Sequence, residues 1–221
     1  MTNRHVFNEQ LTELRDLLLE MATMAEASID MAMTALKNRD VDLAKKVIAG
    51  DDGIDALEQK IENLCLELIA RQQPIAADLR LISMVLKMIT DIERIADHSA
   101  DISEITLRLG CEEPVKPLVD IPRMAEVARE MVHSAIRSFV NNDMVMAVAT
   151  CRRDDEVDTL FEKVILELSK MMKEDPAIVD RAIDLILIAK YLERVGDHAT
   201  NIGEWVAFNI SGKHAHLTHC D

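Results

Sequence analysis

The sequence contains few aromatic residues and few of the residues that form turns. Phe, Trp and Tyr account for 3% of the 221 residues, and there are six glycines and five prolines. A many-stranded β-sandwich or barrel needs turn residues about every 8–12 positions, so both are disfavoured. Leu, Ala, Met, Glu, Lys and Arg, which favour helices, are frequent instead. Hydrophobic residues make up 49% of the chain, enough for a substantial core.

Cysteine pairs, apolar segments and positive charge are also lacking. The four cysteines are dispersed without a CxxC pair, which argues against a disulfide framework and a cysteine zinc site. With 40 Asp and Glu against 25 Lys and Arg, the net charge of −15 argues against nucleic-acid binding. The N-terminus carries no apolar segment of the signal-peptide type, and no run of 18 apolar residues occurs. We therefore expect a cytoplasmic protein that associates with a membrane only through partners.

The two halves of the sequence repeat one another. Segments of the first half recur in the same order roughly 100 residues later. The matching segments are 38–44 with 141–147, 51–57 with 154–160, and 93–102 with 193–202.

Apolar spacing of three and four residues predicts three helices in each half. Asp40 and Asp143 are predicted N-caps, and Asp175 is a cap followed by proline at the first helical position. Short turns favour an antiparallel bundle in each half. The predicted helices are 8–37, 40–71, 74–109, 121–140, 143–172 and 176–210.

Glycine and prolines in the middle of the chain predict its division into two domains. Gly110, Pro114 and Pro117 stop one helix before the next begins. We therefore predict a first three-helix bundle at 1–110, a linker at 111–120, and a second bundle with a short C-terminal tail at 121–221. The fold class is all-α, with six long helices as two tandem three-helix bundles.

The second and third helices of each half carry acids four residues apart, which places them on one helix face. Like charges at this spacing repel by roughly 0.2–0.5 kcal/mol per pair on an isolated helix, and a cation between them would reverse the sign. The pairs are Asp51 with Asp55, Glu93 with Asp97, Asp154 with Asp158, and Glu193 with Asp197; Asp101 extends the first stripe, and Asn201 takes the corresponding place in the second.

Two interpretations of these acids remain open. Acidic helices often simply present solvated faces, but four pairs at matching repeat positions favour a metal site in each half. Oxygen ligands suit divalent or trivalent ions such as Mg, Mn, Ca, Fe or Zn, and the sequence does not choose among them. A ferritin-like di-iron enzyme calls for Glu-x-x-His, whereas His98 lies five residues after Glu93.

Other polar residues surround the acidic pairs. Arg94 and Arg194 are predicted to pair with acids of a neighbouring helix, with anion contact as the alternative. His98 and His198 either donate hydrogen bonds to ligating carboxylates or lie at a bundle edge. The tail, with histidines at 214, 216 and 219, is expected to be disordered, with metal scavenging as the alternative.

These features resemble the PhoU family, bacterial regulators of the phosphate-specific transport system. The resemblance covers nearly the whole chain, including the duplication, the Asp-x-x-x-Asp of each second helix and the proline that opens each third helix. It is strongest at 193–202, Glu-Arg-Val-Gly-Asp-His-Ala-Thr-Asn-Ile, which is similar to the family signature almost letter for letter. The first half departs from it with Ala96 and Asp101, so we expect the two metal sites to differ in charge and occupancy.

The resemblance implies a pseudo-twofold arrangement of the bundles, with metal ions bound on their surface by the acidic motifs. It also implies a cytoplasmic homodimer that represses the phosphate-starvation response, placed between the ATPase subunit of the phosphate transporter and a sensor histidine kinase. An adaptor of this kind is not an enzyme. Two alternatives remain, a carboxylate-bridged metal-dependent enzyme on a helical bundle and a purely structural scaffold, although no nucleophile motif or phosphate-binding glycine loop is present.

Overall fold

The computed structural model describes residues 3–110, 115 and 119–213, and the chain is helical almost throughout them, which confirms the predicted all-α class. None of the described helices combines the length and apolar character needed to cross a membrane. Most of the predicted linker and the histidine-containing tail lie outside the described residues. The helices are α1 (Asn3–Asn38), α2 (Val41–Gln72), α3 (Ala76–Leu109), α4 (Asp120–Asn141), α5 (Met144–Arg152), α6 (Asp154–Glu174) and α7 (Val179–Ser211), with a 3-10 turn at Pro176–Ile178 before α7.

The predicted fifth helix, 143–172, is interrupted at Arg153, which divides it into α5 and α6. The N–H of Arg153 donates to the carbonyl of Thr150 at 3.0 Å, an i to i−3 hydrogen bond that tightens the chain. The sequence carries a signal for this break: Arg152 is a basic residue in the last turn of α5, and three acids at 154–156 open α6. Each charge is favourable at its helix end. In the first half, Gly50 occupies the corresponding position and α2 continues through it.

The turns between the first and second helices of the two halves have the same geometry. Arg39 and Asn142 adopt left-handed backbone conformations, with φ of 55° and 53°. Asp40 and Asp143 follow as N-caps, and each side chain accepts a hydrogen bond from the N–H three residues later, at 2.9 Å and 3.0 Å. Asp175 accepts from the N–H two residues later at 3.0 Å. The three predicted caps are therefore confirmed.

The core is built from apolar stripes at helical spacing. On α1 the buried side chains recur every three or four residues along one face. The third helix of each half is buried more extensively, because α3 packs against α1, α2 and α7, while α7 packs against α4, α5, α6 and α3. The stripe on α1 consists of Leu14, Leu18, Met21, Ala25, Ile29, Ala32 and Leu36.

Contacts between the halves join equivalent helices, α1 with α4 and α3 with α7, as a twofold axis requires. Asp91 on α3 lies against His198 on α7, and Tyr191, at the equivalent position of the second half, lies against His98 on α3. The apolar core continues through both halves. This confirms the two related bundles, while the boundaries of the two domains stay a prediction.

The repeated caps give a stability prediction. Asp40→Ala and Asp143→Ala should each lower the free energy of unfolding by about 1 kcal/mol, because each leaves an N–H of the first helical turn without its acceptor. Asp40→Asn and Asp143→Asn keep an acceptor oxygen and should lose much less. Urea denaturation followed by circular dichroism measures both pairs, and equal losses for the Ala and Asn variants would contradict the capping role.

Candidate metal centres

Four predicted carboxylates come together between α2 and α3. Asp51 and Asp55 lie one turn apart on α2, and Glu93 and Asp97 one turn apart on α3; we call these four the first cluster. Burial, followed by the charges of Asp97 and Asp55, raises the pKa of Asp51 to about 6. Burial, followed by the charge of Asp97, raises the pKa of Glu93 to about 7 against the opposing charge of Arg94. The acids of the two helices therefore lie close enough to perturb one another.

The equivalent positions of the second half form a second cluster, consisting of Asp154 and Asp158 on α6 and Glu193 and Asp197 on α7. Burial, followed by the charges of Asp197 and Asp158, raises the pKa of Asp154 to about 7. Burial, followed by Glu193, also raises the pKa of both Asp158 and Asp197. The structure thus brings together the same repeat positions in both halves.

Several oxygens of these carboxylates are buried without a hydrogen-bond partner. They are Asp51 Oδ1, Asp55 Oδ1 and Glu93 Oε2 in the first cluster and Asp154 Oδ1 in the second. Such an oxygen has lost water without gaining a hydrogen bond, which is costly for a charged group. Glu93 Oε2 has the guanidinium of Arg94 3.3 Å away, and a bound cation would supply a partner to the other three oxygens.

The donors are all carboxylate oxygens, the ligands that hard cations prefer, so the residues present fit such an ion. As placed, no three Asp, Glu, His or Cys side chains within 3–110, 115 and 119–213 stand close enough to hold one ion. Binding would therefore require the carboxylates to draw inward.

The two arginines that follow the cluster glutamates differ from one another. The prediction placed their partners on a neighbouring helix, but Arg94 Nη1 donates to Asp97 Oδ2 on its own helix at 2.6 Å. Its Nε lies 3.3 Å from Glu93 Oε2. Residues three apart share a helix face, so this partner is nearer than any on another helix. Arg194 is exposed and forms no ion pair with another described residue.

Asp101 extends the first stripe toward the contact between the halves. Its Oδ2 lies 3.3 Å from Nδ1 of His98. Burial lowers the pKa of His98, and the interaction with Asp101 opposes that shift. Whether His98 orients Asp101 as a metal ligand stays a prediction.

His198 and Asn201 contact the other half of the protein. His198 Nδ1 lies 2.9 Å from Asp91 Oδ1, and Asn201 Nδ2 donates to the same oxygen at 3.0 Å. Of the two roles left open for His198, one was a hydrogen bond to a ligating carboxylate; its partner is instead this buried acid on α3. The ring of His98 stacks on that of Tyr191 at 5.4 Å and lies 5.7 Å from the ring of His198.

Sequence reasoning missed residues that differ between the halves. Lys190 Nζ donates to Glu193 Oε1 at 2.6 Å, whereas Thr90, its equivalent, donates its hydroxyl to Glu58 Oε1 at 3.3 Å. Asp91 is another such residue. Comparison of the two halves identifies the residues that they share, so it did not single out positions at which they differ.

Gly196, in the signature segment, lies against the second cluster. A Cβ added there would stand 2.9 Å from Asp154 Oδ1, closer than Cβ atoms approach other atoms in proteins. The absence of a side chain at this position leaves room for the buried carboxylate. In the first half Ala96 takes this place.

Taken together, these features define a duplicated helical-bundle protein with a candidate carboxylate metal centre in each half. The PhoU domain model matches residues 18–106 and 121–206. A "phosphate-specific transport system accessory protein PhoU homolog" from Clostridium acetobutylicum is 38% identical over 215 residues, covering 97% of this chain and 98% of the relative. A homolog of the same name from Aquifex aeolicus is 39% identical over 186 residues, 84% of each chain.

Structural similarity agrees with the sequence matches. The crystal structure of PhoU from Pseudomonas aeruginosa has a TM-score of 0.91 at 33% identity, covering 94% of this chain and 100% of the other. The chain belongs to the PhoU family.

The raised pKa of Asp154 predicts a dependence of stability on pH. The ordinary pKa of this carboxyl is 3.8, and its folded pKa is about 7. Below the ordinary value both states are protonated and the group has no effect. As the pH rises, the unfolded state loses its proton first, so the destabilising contribution grows until it is complete above the folded pKa. In metal-free protein, the stability gained by Asp154→Asn over the wild type should therefore grow between about pH 4 and about pH 7 and stay constant above that.

Urea denaturation in the presence of a chelator, repeated across that pH range, measures this margin. Glu20→Gln, on an exposed face of α1, removes a charge away from both clusters, and its margin should stay flat. A margin for Asp154→Asn that shrinks with rising pH would contradict the assignment of the raised pKa.

Proposed function

We propose that this protein regulates phosphate uptake as a metal-binding adaptor. Its family membership supports a role in the regulation of phosphate transport, since the relatives are named as accessory proteins of the phosphate-specific transport system. The observation that carries the metal-binding part is the presence, at equivalent positions of both halves, of a carboxylate cluster with buried, unpartnered oxygens.

The cluster carboxylates would hold the cations. A bound ion supplies positive charge that offsets their mutual repulsion, and oxygen donors of this kind suit Mg, Mn, Ca or Fe, with Zn as a further candidate. The proposed ligands are Asp51, Asp55, Glu93, Asp97 and Asp101 in the first half, and Asp154, Asp158, Glu193 and Asp197 in the second.

The proposed partners are the ATPase subunit of the phosphate transporter and a sensor histidine kinase. The net charge of −15 supports contact with basic protein surfaces rather than with nucleic acid or anionic lipid. In this proposal the protein acts as a cytoplasmic homodimer that represses the phosphate-starvation response when phosphate is plentiful.

The position of the clusters favours an adaptor over an enzyme. Asp158 and Asp197 are exposed, and the side chain of Asp97 is 30% exposed. Enzymes commonly exclude water from the reacting groups, whereas carboxylates open to solvent can be met by a protein surface. A carboxylate-dependent hydrolase on the same bundle is the alternative.

Removing one carboxylate from each cluster should reduce metal binding. In Asp97→Ala/Asp197→Ala, each cluster loses a donor, so bound metal after dialysis should fall well below the wild-type content. Elemental analysis measures the content, and circular dichroism checks that the variant is folded. Asp16→Ala, on the exposed face of α1, is the control. Metal content in the double variant equal to that of the wild type would refute the site assignment.

Deletion of the gene tests the regulatory role. We expect phosphate-starvation genes to remain expressed in phosphate-rich medium, because the repressing adaptor is absent, as measured with a transcriptional reporter. The wild-type gene should restore repression, and the Asp97→Ala/Asp197→Ala gene should restore it less well. Normal repression in the deletion strain would refute the proposed function. Co-purification with the transporter ATPase and the kinase then tests the partners.

A further inference from the structure

The two clusters differ at one pair of equivalent positions. In the first half, the hydroxyl of Thr90 donates to Oε1 of Glu58 at 3.3 Å. In the second half Lys190 replaces the threonine, and Phe161 replaces the glutamate. The Lys190 ammonium lies 5.4 Å from the centre of the Phe161 ring, a distance at which an aromatic face attracts a cation. A hydroxyl and an acid in one half thus correspond to a cation and an aromatic ring in the other.

Lys190 reaches into the second cluster. Its Nζ donates to both carboxylate oxygens of Glu193, at 2.6 Å to Oε1. Burial and Glu193 raise the pKa of Asp158 and of Asp197, and Lys190 is the largest opposing charge for both. One ammonium group therefore acts on three of the four carboxylates.

The first cluster has no cation in the same place. Glu93, the equivalent of Glu193, has Oε2 buried without a hydrogen bond, and the nearest cation to that oxygen is Arg94, whose Nε lies 3.3 Å away. The side chain of Arg94 is 53% exposed, donates to Asp97 and contacts one oxygen of Glu93, whereas Lys190 donates to both oxygens of Glu193. Two oxygens of the first cluster, on Asp51 and Asp55, remain buried with neither a hydrogen bond nor an ion pair, against one in the second, on Asp154, among the described residues.

In the second cluster, Asp154 still has a carboxylate oxygen that could bind an ion. The residue is only 9% exposed, and its Oδ1 has no hydrogen-bond partner. It therefore keeps a donor oxygen for an ion, while the oxygens of Glu193 are already occupied.

We propose that Lys190 is a built-in cation of the second cluster, which makes the first cluster the tighter of two unequal metal sites. An ammonium group and a metal ion compete for the same carboxylate oxygens, so an ion entering the second cluster must displace Lys190 from Glu193 or bind with fewer donors. The inference rests on the proposed metal-binding function and names the residues, Thr90 and Lys190, that set the order of the two sites.

Exchanging these two residues tests the inference. Titration of chelator-stripped protein with Mn²⁺, followed by calorimetry, should give one tighter and one weaker site in the wild type. Lys190→Thr should strengthen the weaker site, and Thr90→Lys should weaken the tighter one, each by about tenfold or more, the size of effect typical of changes beside metal ligands. Lys190→Arg keeps the charge and should leave the weaker site weak. Asp97→Ala and Asp197→Ala, made singly, assign each affinity to its cluster.

Charge-matched controls separate this local effect from net charge. Lys170→Thr removes an exposed lysine from α6, and Thr12→Lys adds one to an exposed position on α1; both should leave the Mn²⁺ affinities unchanged. Thr90 is exposed and the Lys190 side chain is 40% exposed, so both substitutions are compatible with folding.

A second readout needs no metal. In chelator, Lys190→Thr should lower the melting temperature, because the second cluster loses its counter-charge, and Thr90→Lys should raise it. If Mn²⁺ binds the wild type but the Thr90 and Lys190 variants leave both affinities unchanged, this inference is wrong and the proposed metal binding stands. If Mn²⁺ does not bind the wild type at all, both are wrong.

Discussion

The structure depends on apolar packing that holds four like charges together at the edge of each bundle. Ile54 lies between the two acids of α2 and Val157 between the two acids of α6, and both are almost fully buried. Burial of such a side chain stabilises the fold by about 1.5–3 kcal/mol. One like-charge pair on an isolated helix costs only roughly 0.2–0.5 kcal/mol. Apolar packing beside the acids therefore opposes their mutual repulsion, and the further cost of burying the carboxylates falls on the groups whose pKa it raises, Asp51, Glu93 and Asp154.

The helices that carry the clusters also join the halves. On α3, Asp91 and His98 contact α7 within about one and a half turns of Glu93 and Asp97. On α7, His198 follows Asp197 directly and contacts Asp91. The carboxylates of α3 and α7 therefore lie within a few residues of the side chains that join the halves.

The duplication made most of the fold readable from the sequence. Apolar spacing and turn residues predicted the helices, and matching positions of the two halves pointed to the Asp40 and Asp143 caps and to the carboxylates that the structure brings together. Features that differ between the halves could not be predicted by comparing the repeats. The break at Arg153 depends on charges at two helix ends, and the space beside Gly196 depends on how α6 packs on α7. The partner of Arg94 was predicted on another helix because paired arginines are common at packed helix surfaces, but it is Asp97 on its own helix.

Across the pseudo-twofold axis, the position that faces Asp101 is occupied by Tyr191 and not by a second acid. Position 91 faces position 201, where Asp91 accepts a hydrogen bond from Asn201. The equivalent positions of the other contact are Tyr191 and Asp101; burial raises the pKa of Tyr191, and the charge of Asp101 adds to that shift. Two acids at either contact would place like charges together in a partly buried site.

Each contact instead contains one acid, and the acids fall on α3 in both cases. The contact between the halves is thus compatible with an additional acid, Asp101, in the first half. The first cluster, which lies next to Asp101, also has Thr90 rather than a lysine beside Glu58 and Glu93.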